Sequence, residues 1–421
     1  MLFGLMFFQT QQLNSTDINE LKKANVIDVE KGINELNNID TIELKKERRS
    51  RAVFCGPHYS SNIVNMLKLV FGFSATHEKD PNWDIQYGAY PHCGRAGYKD
   101  WDMETGFNKV VGDKGWPNLK PWQVWFPCMG CRQSYCNKRE FCKLQRDVDP
   151  STCFVLPDDL EALQSKMDGK KLWVLKRDGQ HLDLHTGKGI TYIKKKEQIP
   201  QDLSDRTYLV QPYSKPFLGK GKYNRKSELR LYLAVTSTWP LRLYSYEKMW
   251  VVLASSVYTD DDISNKCIHD THTSSYCKND LHPNEQSISF EDYATKVEMS
   301  KELQKTVVDT TLRLISKIIH TANPEIQKNI VNQGIKESGA SCFSYLRADI
   351  GITKEGNIAI FEINEFPFVN DNLLVSKKIV KDSHMELFEM IGLDQPPVYR
   401  DIERAKYEAA HTGSWKRLNQ E

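Results

Sequence analysis

Two apolar runs, Ser344 to Ile352 and Asn357 to Asn364, meet at the turn Lys354-Glu355-Gly356-Asn357 and constrain this chain more than any other stretch. Runs of that length around turn residues predict two strands of a hairpin. Within them stand Asp349, Glu362 and Asn364. Successive side chains of a strand point to opposite faces, so Glu362 and Asn364 share one face. Ala359-Ile360-Phe361 and Ile363 flank that pair, and a buried strand that spends positions on polar groups needs partners for them. Two carboxylates and an amide oxygen on neighbouring strands make a hard oxygen site suited to Mg²⁺ and nucleotide phosphates. An ordinary exposed strand face is the bland account of an isolated Glu-x-Asn.

The chain has 421 residues, enough for two or three domains or one large α/β enzyme. Its 57 Lys and Arg nearly balance 55 Asp and Glu, which excludes a globally basic nucleic-acid binder and a disordered acidic chain. Charge-driven recognition must therefore be local. The apolar stretch Met1 to Phe8 falls short of the roughly 20 residues that cross a bilayer, so it reads at most as the tail of a longer anchor. From Gln9 to Arg51 the chain is polar, a stalk or frayed helix, with a glycosylation sequon at Asn14-Ser15-Thr16. Folded sequence begins near Arg51. Strands are expected at Lys171 to Lys176, Ile190 to Ile193, Tyr208 to Gln211, Glu228 to Thr236 and Leu241 to Tyr246, with helices over Ser134 to Asp147 and Tyr293 to Thr321. No repeat of 20 to 50 residues is present.

Lys176 ends an apolar strand and is followed by Gly187-Lys188-Gly189. A lysine leaving a strand holds phosphate as a point charge, and the two glycines let backbone approach phosphate oxygens. The spacing matches neither the P-loop nor the dinucleotide fingerprint, and a plain turn is the bland account. Farther on, Lys215, Lys220, Lys222, Arg225 and Lys226 precede any acidic residue until Glu228. Lys226, Glu228 and Arg230 then alternate along a strand and project to one side. That polar face suits an acidic peptide or a negatively charged intermediate.

In this order the motifs resemble the tubulin tyrosine ligase-like family of ATP-grasp ligases, over about Trp122 to Leu393. The resemblance rests on Trp173-Val174-Leu175-Lys176, Gly187-Lys188-Gly189-Ile190, Tyr208-Leu209-Val210-Gln211 through Lys215-Pro216-Phe217-Leu218, Arg225-Lys226-Ser227-Glu228-Leu229-Arg230, Pro240-Leu241-Arg242-Leu243-Tyr244 and Phe361-Glu362-Ile363-Asn364. It implies an α+β ATP-grasp fold: a polar segment 1–50, an N-terminal subdomain 51–135 carrying clustered cysteines, a central subdomain 136–212, a C-terminal subdomain 213–394 and a polar tail 395–421. It assigns Lys138, Lys176, Gly187, Lys188, Gly189, Gln211 and Tyr213 to ATP. Arg230, Lys226 and Glu228 become the catalytic set, and Asp349, Glu362 and Asn364 the Mg²⁺ ligands.

The implied chemistry is ATP-driven amide formation, in which a carboxylate is phosphorylated and an amine attacks the acyl phosphate. Positioned cations serve such a transfer better than a protein nucleophile. The expected partners are a free amino acid, glutamate first, and the acidic tail of tubulin or another protein, met by the basic loop Lys215 to Lys226, with no nucleic acid. The implied place is cytoplasmic or cytoskeletal, or a secretory lumen if an N-terminal anchor precedes the chain. The departures concern the acceptor and turnover: Glu228 replaces the family aspartate, Val252 stands where an arginine is usual, His272 replaces an asparagine, and Pro212 follows Gln211. A scaffold that binds ATP or a partner without turnover is the alternative.

Five of the chain's ten cysteines lie between Cys128 and Cys153. Cys128, Cys131, Cys136, Cys142 and Cys153 could form a zinc knuckle, a disulfide-stapled loop or scattered thiols. Cys267 and Cys277 could pair across the loop between them. Reduced thiols are the default for a cytosolic family member.

Overall fold

The computed structural model describes residues 51–54, 67–71, 73–75, 85–87 and 124–126, then 134–149, 152–178, 189–203, 207–271, 277, 281–332, 341–365, 374–393 and 401–419. The segment 1–50, Cys128, Cys131, Gly187, Lys188 and His272 lie outside the described residues. The architecture is α+β, built on three sheets. Short parallel strands β1 (Arg51–Phe54), β2 (Ser74–Ala75), β3 (Ile85–Tyr87) and β4 (Val124–Phe126) form the first, joined by the distant Ser341–Cys342 strand at the β4 edge. The second is antiparallel, in the order β5 (Phe154–Leu156), β8 (Thr207–Pro212), β6 (Trp173–Asp178), β7 (Ile190–Ile193). Helix α1 (Lys138–Val148) precedes it, N-capped by the Asn137 side chain, which accepts from the Arg139 and Glu140 amides.

The third sheet is organised by β9 (Ser227–Thr238). One edge of β9 is shared by β11 (Trp250–Leu253) along its first residues and β10 (Leu241–Tyr246) along its last. Its other edge carries β14 (Ser344–Ile352), which pairs outward with β15 (Ile358–Glu365). Both faces of β9 are covered. Leu229, Leu231, Leu233 and Val235 face α5 (Lys301–Asn332) through Val307, Ile315, Ile318 and Ile319. Tyr232 and Ala234 face the opposite way, towards α6 (Leu374–Met390) through Ile379, Val380, Leu387 and Phe388. A strand packed on both faces reads as a near-continuous apolar run, and β9 and β14 are buried almost throughout. The polar residues they do carry are the exceptions that build the site.

The helical pattern from Tyr293 to Thr321 resolves into two helices, Phe290–Lys296 and α5. Glu298 takes a left-handed φ of 56°, and the Ser300 hydroxyl accepts from the Leu303 amide at 3.1 Å, so the second helix has its own cap. The segment after residue 394, expected as a polar tail, forms helix Asp401–Ala410 and strand β16 (Trp415–Leu418), which extends the third sheet by pairing with β10. Its attachment is mostly polar. Glu408 Oε2 accepts from Thr236 at 2.7 Å, Arg242 Nε at 2.9 Å and the Tyr244 hydroxyl at 3.2 Å, all buried. Trp415 alone in β16 is buried, against Tyr246, and its indole donates to the Ser383 carbonyl at 3.2 Å. No helix among the described residues is long and apolar enough to cross a membrane.

Truncating Trp415 removes a large buried ring and its hydrogen bond to the Ser383 carbonyl. Trp415→Ala is expected to lower unfolding free energy by about 3–5 kcal/mol in urea titrations; a change under about 1 kcal/mol would show that β16 is peripheral to the cooperative core.

Candidate active site

β9, β14 and β15 place their polar residues on one face by register alone. Asp349 pairs with Arg230 on one side and Glu362 on the other, and Arg347 pairs with Asn364. The β14–β15 ladder shifts register between Asp349 and Ile350, so Phe361 is an extra residue, a bulge beside Glu362. The bulge aims the Phe361 ring at two ammonium groups: Lys176 Nζ lies 5.9 Å and Lys226 Nζ 5.5 Å from its centroid. Across the ladder Gly351 makes room, since a Cβ there would stand 2.3 Å from Phe361 Cζ.

A pocket opens between the second and third sheets, and Lys138, Lys176, Gln211, Phe361, Glu362 and Asn364 all line it. Lys138 comes from the first turn of α1, Lys176 from β6 and Gln211 from β8, so a helix and two strands of one sheet meet the carboxylate strand of another. Gln211 Nε2 donates to Gln145 Oε1 at 2.9 Å, and Gln145 Nε2 donates to the Ile360 carbonyl, which ties both sides of the pocket together. A larger cavity of about 760 Å³, near Met249, Val375 and Ile379, contains none of these groups.

Lys176 and Lys226 are half-buried, and the loss of hydration at their ammonium groups favours the neutral amine. Desolvation pushes Lys176 down despite Glu362, with Lys138 adding repulsion. It pushes Lys226 down to about 8, while Asp270 and Glu228 oppose the shift and Lys176 reinforces it. Lys226 Nζ donates to the His269 carbonyl at 2.7 Å and lies 5.0 Å from the Tyr213 ring centroid. His269 Nε2 faces the Asp262 carbonyl at 3.0 Å, so Nε2 carries the proton and Nδ1 accepts from the Tyr213 hydroxyl at 2.8 Å. Burial lowers the His269 pKa, in keeping with a neutral ring. Two half-buried lysines with an exposed third at the rim form a cationic wall whose charge an anionic ligand would compensate.

Glu228 is held rather than exposed. Its Oε1 accepts from Arg230 Nε and Nη2, both at 2.8 Å, and its Oε2 from the Thr271 hydroxyl at 2.9 Å. The Arg230 guanidinium lies 4.9 Å from the Trp250 ring centroid, so ring and carboxylate fix its plane. Asp349 is fully buried, and desolvation raises its pKa against the pull of Arg347. Arg347 grips it with a fork, Nε to Oδ1 at 2.6 Å and Nη2 to Oδ2 at 2.7 Å. Asn364 Nδ2 donates to Asp349 Oδ2 at 2.9 Å and to Glu362 Oε1 at 2.8 Å. Mg²⁺ keeps waters and phosphate ligands and needs only one or two protein carboxylates. Glu362 on the pocket wall, with Asn364 beside it, fits that requirement; Asp349 is already engaged.

Lys138, Lys176, Gln211, Glu362 and Asn364 share the pocket, Tyr213 and Lys226 meet beside it, and Glu228, Arg230 and Asp349 adjoin in the sheet; Gly187 and Lys188 lie outside the described residues. Gly189 closes the β6–β7 ladder, its carbonyl accepting from the Arg177 amide at 2.9 Å. Three lysines expected to meet an acidic partner are instead paired within the chain: Lys215 with Asp260, Lys220 with Glu298 and Lys222 with Glu285. Val252 is buried beside Tyr232 and Trp250 in an apolar cluster, opposite Glu228 in the ladder. Arg347, Phe361 and Gln145 were not anticipated. Arg347 was within reach of alternation, two residues before Asp349; the bulge that turns Phe361 has no local signal.

Two disulfides brace this region: Cys267–Cys277 is the pairing expected as one alternative across the loop between them, and at these four cysteines the default of reduced thiols is overturned. Cys142–Cys153 ties α1 to the start of β5, and Cys267–Cys277 closes the loop that carries His269, Asp270 and Thr271. Neither Cys142 nor Cys153 is thus available as a zinc ligand.

A profile of the tubulin-tyrosine ligase family matches residues 127–396. The chain is 26% identical over 256 residues to the tubulin monoglutamylase TTLL4 of Mus musculus, covering 58% of this chain and 20% of that protein. It is 27% identical over 312 residues to the tubulin polyglutamylase ttll6 of Danio rerio, covering 68% of this chain and 38% of that protein. Over 131 residues it is 34% identical to the human tubulin monoglutamylase TTLL4, covering 30% and 10% respectively. The chain thus spans well under half the length of these relatives.

Gly351→Ala should displace the Phe361 ring from the two lysines while leaving the distant core intact. The expected outcome is a loss of about 1–3 kcal/mol in stability together with weaker binding of a fluorescent nucleotide; unchanged nucleotide binding would remove Phe361 from the site.

Proposed function

The chain belongs to the tubulin-tyrosine ligase family, a family of ATP-dependent ligases that modify tubulin, and from that premise we propose that it joins an amino acid to an acidic protein tail at the expense of ATP. The observation that carries the reading is the meeting of Lys138 and Lys176 with Glu362 and Asn364 in one pocket. Cations and hard oxygens so close together suit nucleotide phosphates and their divalent ion. Glutamate is the proposed donor and a glutamate-rich tail such as that of tubulin the proposed acceptor. The relatives named as tubulin glutamylases support both choices. The ATP-grasp reading places the nucleotide between segments 136–212 and 213–394, with Gln211 and Tyr213 at their junction.

In this reading Lys138 and Lys176 hold the phosphates, with the backbone at Gly187, Lys188 and Gly189 closing over them. Mg²⁺ held at Glu362 and Asn364 would neutralise phosphate charge. Arg230, fixed by Glu228 and Trp250, faces the charge that develops as the acceptor carboxylate attacks the γ-phosphate and as the incoming amine expels phosphate from the acyl phosphate. Lys226 is a second positive group on that face. Lys226 and Arg230 meet the reacting carboxylate, while Lys215, Lys220 and Lys222, whose exposed pairs with Asp260, Glu298 and Glu285 contribute little, remain a local basic surface for the tail in a chain with a net charge of +2.

One observation favours a second reading. Val252 is buried in an apolar cluster where the family resemblance places an arginine, so a cation expected for turnover is missing from β11. A nucleotide-binding scaffold would keep the pocket without forming product.

Mass spectrometry of a glutamate-rich peptide incubated with the chain, Mg-ATP and mixed amino acids separates the two. The ligase reading expects a peptide heavier by one or more amino-acid residues, no product from Glu362→Gln with its folding intact, and a rate lower by about 10²–10³ in Arg230→Lys. Nucleotide binding without product across a panel of acidic peptides would favour the scaffold.

Lys226 supplies an independent check. With a pKa of about 8 it is charged below that pH and loses its proton above it. An anion bound nearby raises the pKa, so nucleotide binding at pH 8 should take up as much as about half a proton. Calorimetry in buffers of different ionisation heat reads this directly, and Lys226→Met should abolish it. In the free protein the sign for stability is fixed too: the unfolded lysine retains its proton up to about 10.5, so this group's contribution to stability rises with pH between about 8 and 10.5. Proton uptake that persists in Lys226→Met would assign the effect to another group.

A further inference from the structure

Asp349 stands among the expected metal ligands, but its lone pairs are directed elsewhere. A carboxylate offers about four lone-pair positions. Oδ1 accepts from Arg347 Nε at 2.6 Å and lies 3.6 Å from Arg230 Nε; Oδ2 accepts from Arg347 Nη2 at 2.7 Å and from Asn364 Nδ2 at 2.9 Å. Both partners of the fork are buried, Arg347 at 7% exposure and Asp349 at 0%. A divalent ion binding Asp349 would have to displace a planar, permanently charged fork at its favoured geometry. Nor is the pair isolated from the pocket. Asn364 donates to Asp349 and Glu362 alike, so one network runs Arg347, Asp349, Asn364, Glu362 and ends on the pocket wall.

Charge placement across the sheet points the same way. On the β11 side of β9 the neighbour of Glu228 is Val252, apolar and buried; on the β14 side Arg347 enters beside Tyr232 on the same face. The positive charge missing from one edge of β9 is present on the other.

We propose that Arg347 is a resident cation that takes the place of a second divalent ion, so that this chain holds its nucleotide with a single metal, bound through Glu362, rather than with a pair of ions bridged by Asp349 and Glu362. Carboxylates on adjacent strands are the ordinary means of holding two ions in phosphoryl-transfer sites. Here the guanidinium neutralises one of them in advance. Arg347 is in this sense a positioning residue: it sets Asp349, and through Asn364 the orientation of Glu362.

The inference rests on the nucleotide-binding reading, and counting ions separates the two. The full chain is titrated with Mn²⁺ in the presence of a non-hydrolysable ATP analogue, free Mn²⁺ being followed by electron paramagnetic resonance and bound nucleotide by equilibrium dialysis. The expected count is one Mn²⁺ per bound nucleotide in the wild type and two in Arg347→Met, whose Asp349 oxygens are released. Arg347→Lys keeps the charge but not the fork, and should bind a second ion at least tenfold more weakly than Arg347→Met. Two ions in the wild type, or one in a folded Arg347→Met that still binds the analogue, would overturn the inference and leave the nucleotide site standing. Absence of analogue binding at any Mn²⁺ concentration would overturn both. If Arg347→Met fails to fold, the wild-type count and a second ion in Arg347→Lys decide the matter: two ions in the wild type or none gained in Arg347→Lys defeats it.

Discussion

Everything in the C-terminal half hangs on β9, a long strand hydrogen-bonded along both edges and covered on both faces. Once such a strand is locked between β11, β10 and β14, every residue on it has a fixed depth and a fixed side, because a slip of one position would exchange its two faces. Leu229, Leu231 and Leu233 need the α5 side. Glu228, Arg230 and Tyr232 are carried to the other side as a consequence, and the same register sets Arg230 opposite Asp349. The core and the site are therefore two readings of one constraint.

The site concentrates charge that the molecule as a whole does not have. Near-neutral composition hides several ionised groups gathered on one face of a sheet, with acids and bases interleaved in networks. Surface pairs such as Lys215 with Asp260 are exposed to water and contribute little. The buried groups differ. Arg230 is clamped by Glu228 and Arg347 by Asp349, whereas Lys176 and Lys226 sit on the Phe361 ring with burial pressing them towards neutrality. The arginines are structural givens at any ordinary pH; the lysines retain the freedom to respond to an anion.

Much of this was legible from residue order. The hairpin carrying Asp349, Glu362 and Asn364, the Lys176 strand and the alternation of Lys226, Glu228 and Arg230 follow from period-two patterning, which is local. What escaped depends on information that is not local. Phe361 faces the lysines because a bulge shifts the ladder and Gly351, on the partner strand, lacks a side chain. β16 was passed over because an edge strand with one buried residue has almost no hydrophobic pattern to announce it. Spacing offered the Cys267–Cys277 pair, whereas Cys142 and Cys153 find each other within a cluster of five only through proximity in space.

The two disulfides bear on the site through the unfolded chain rather than through any contact with a ligand. Cys142–Cys153 shortens the free run of α1 into β5, and Cys267–Cys277 closes the loop whose His269 carbonyl receives Lys226. Cross-links of this kind remove conformations before folding begins. The segments that carry Lys138 and His269 therefore have fewer conformations to lose when the chain folds than they would in an unlinked chain. Part of the entropy cost of ordering the site has already been surrendered at the moment the thiols were oxidised.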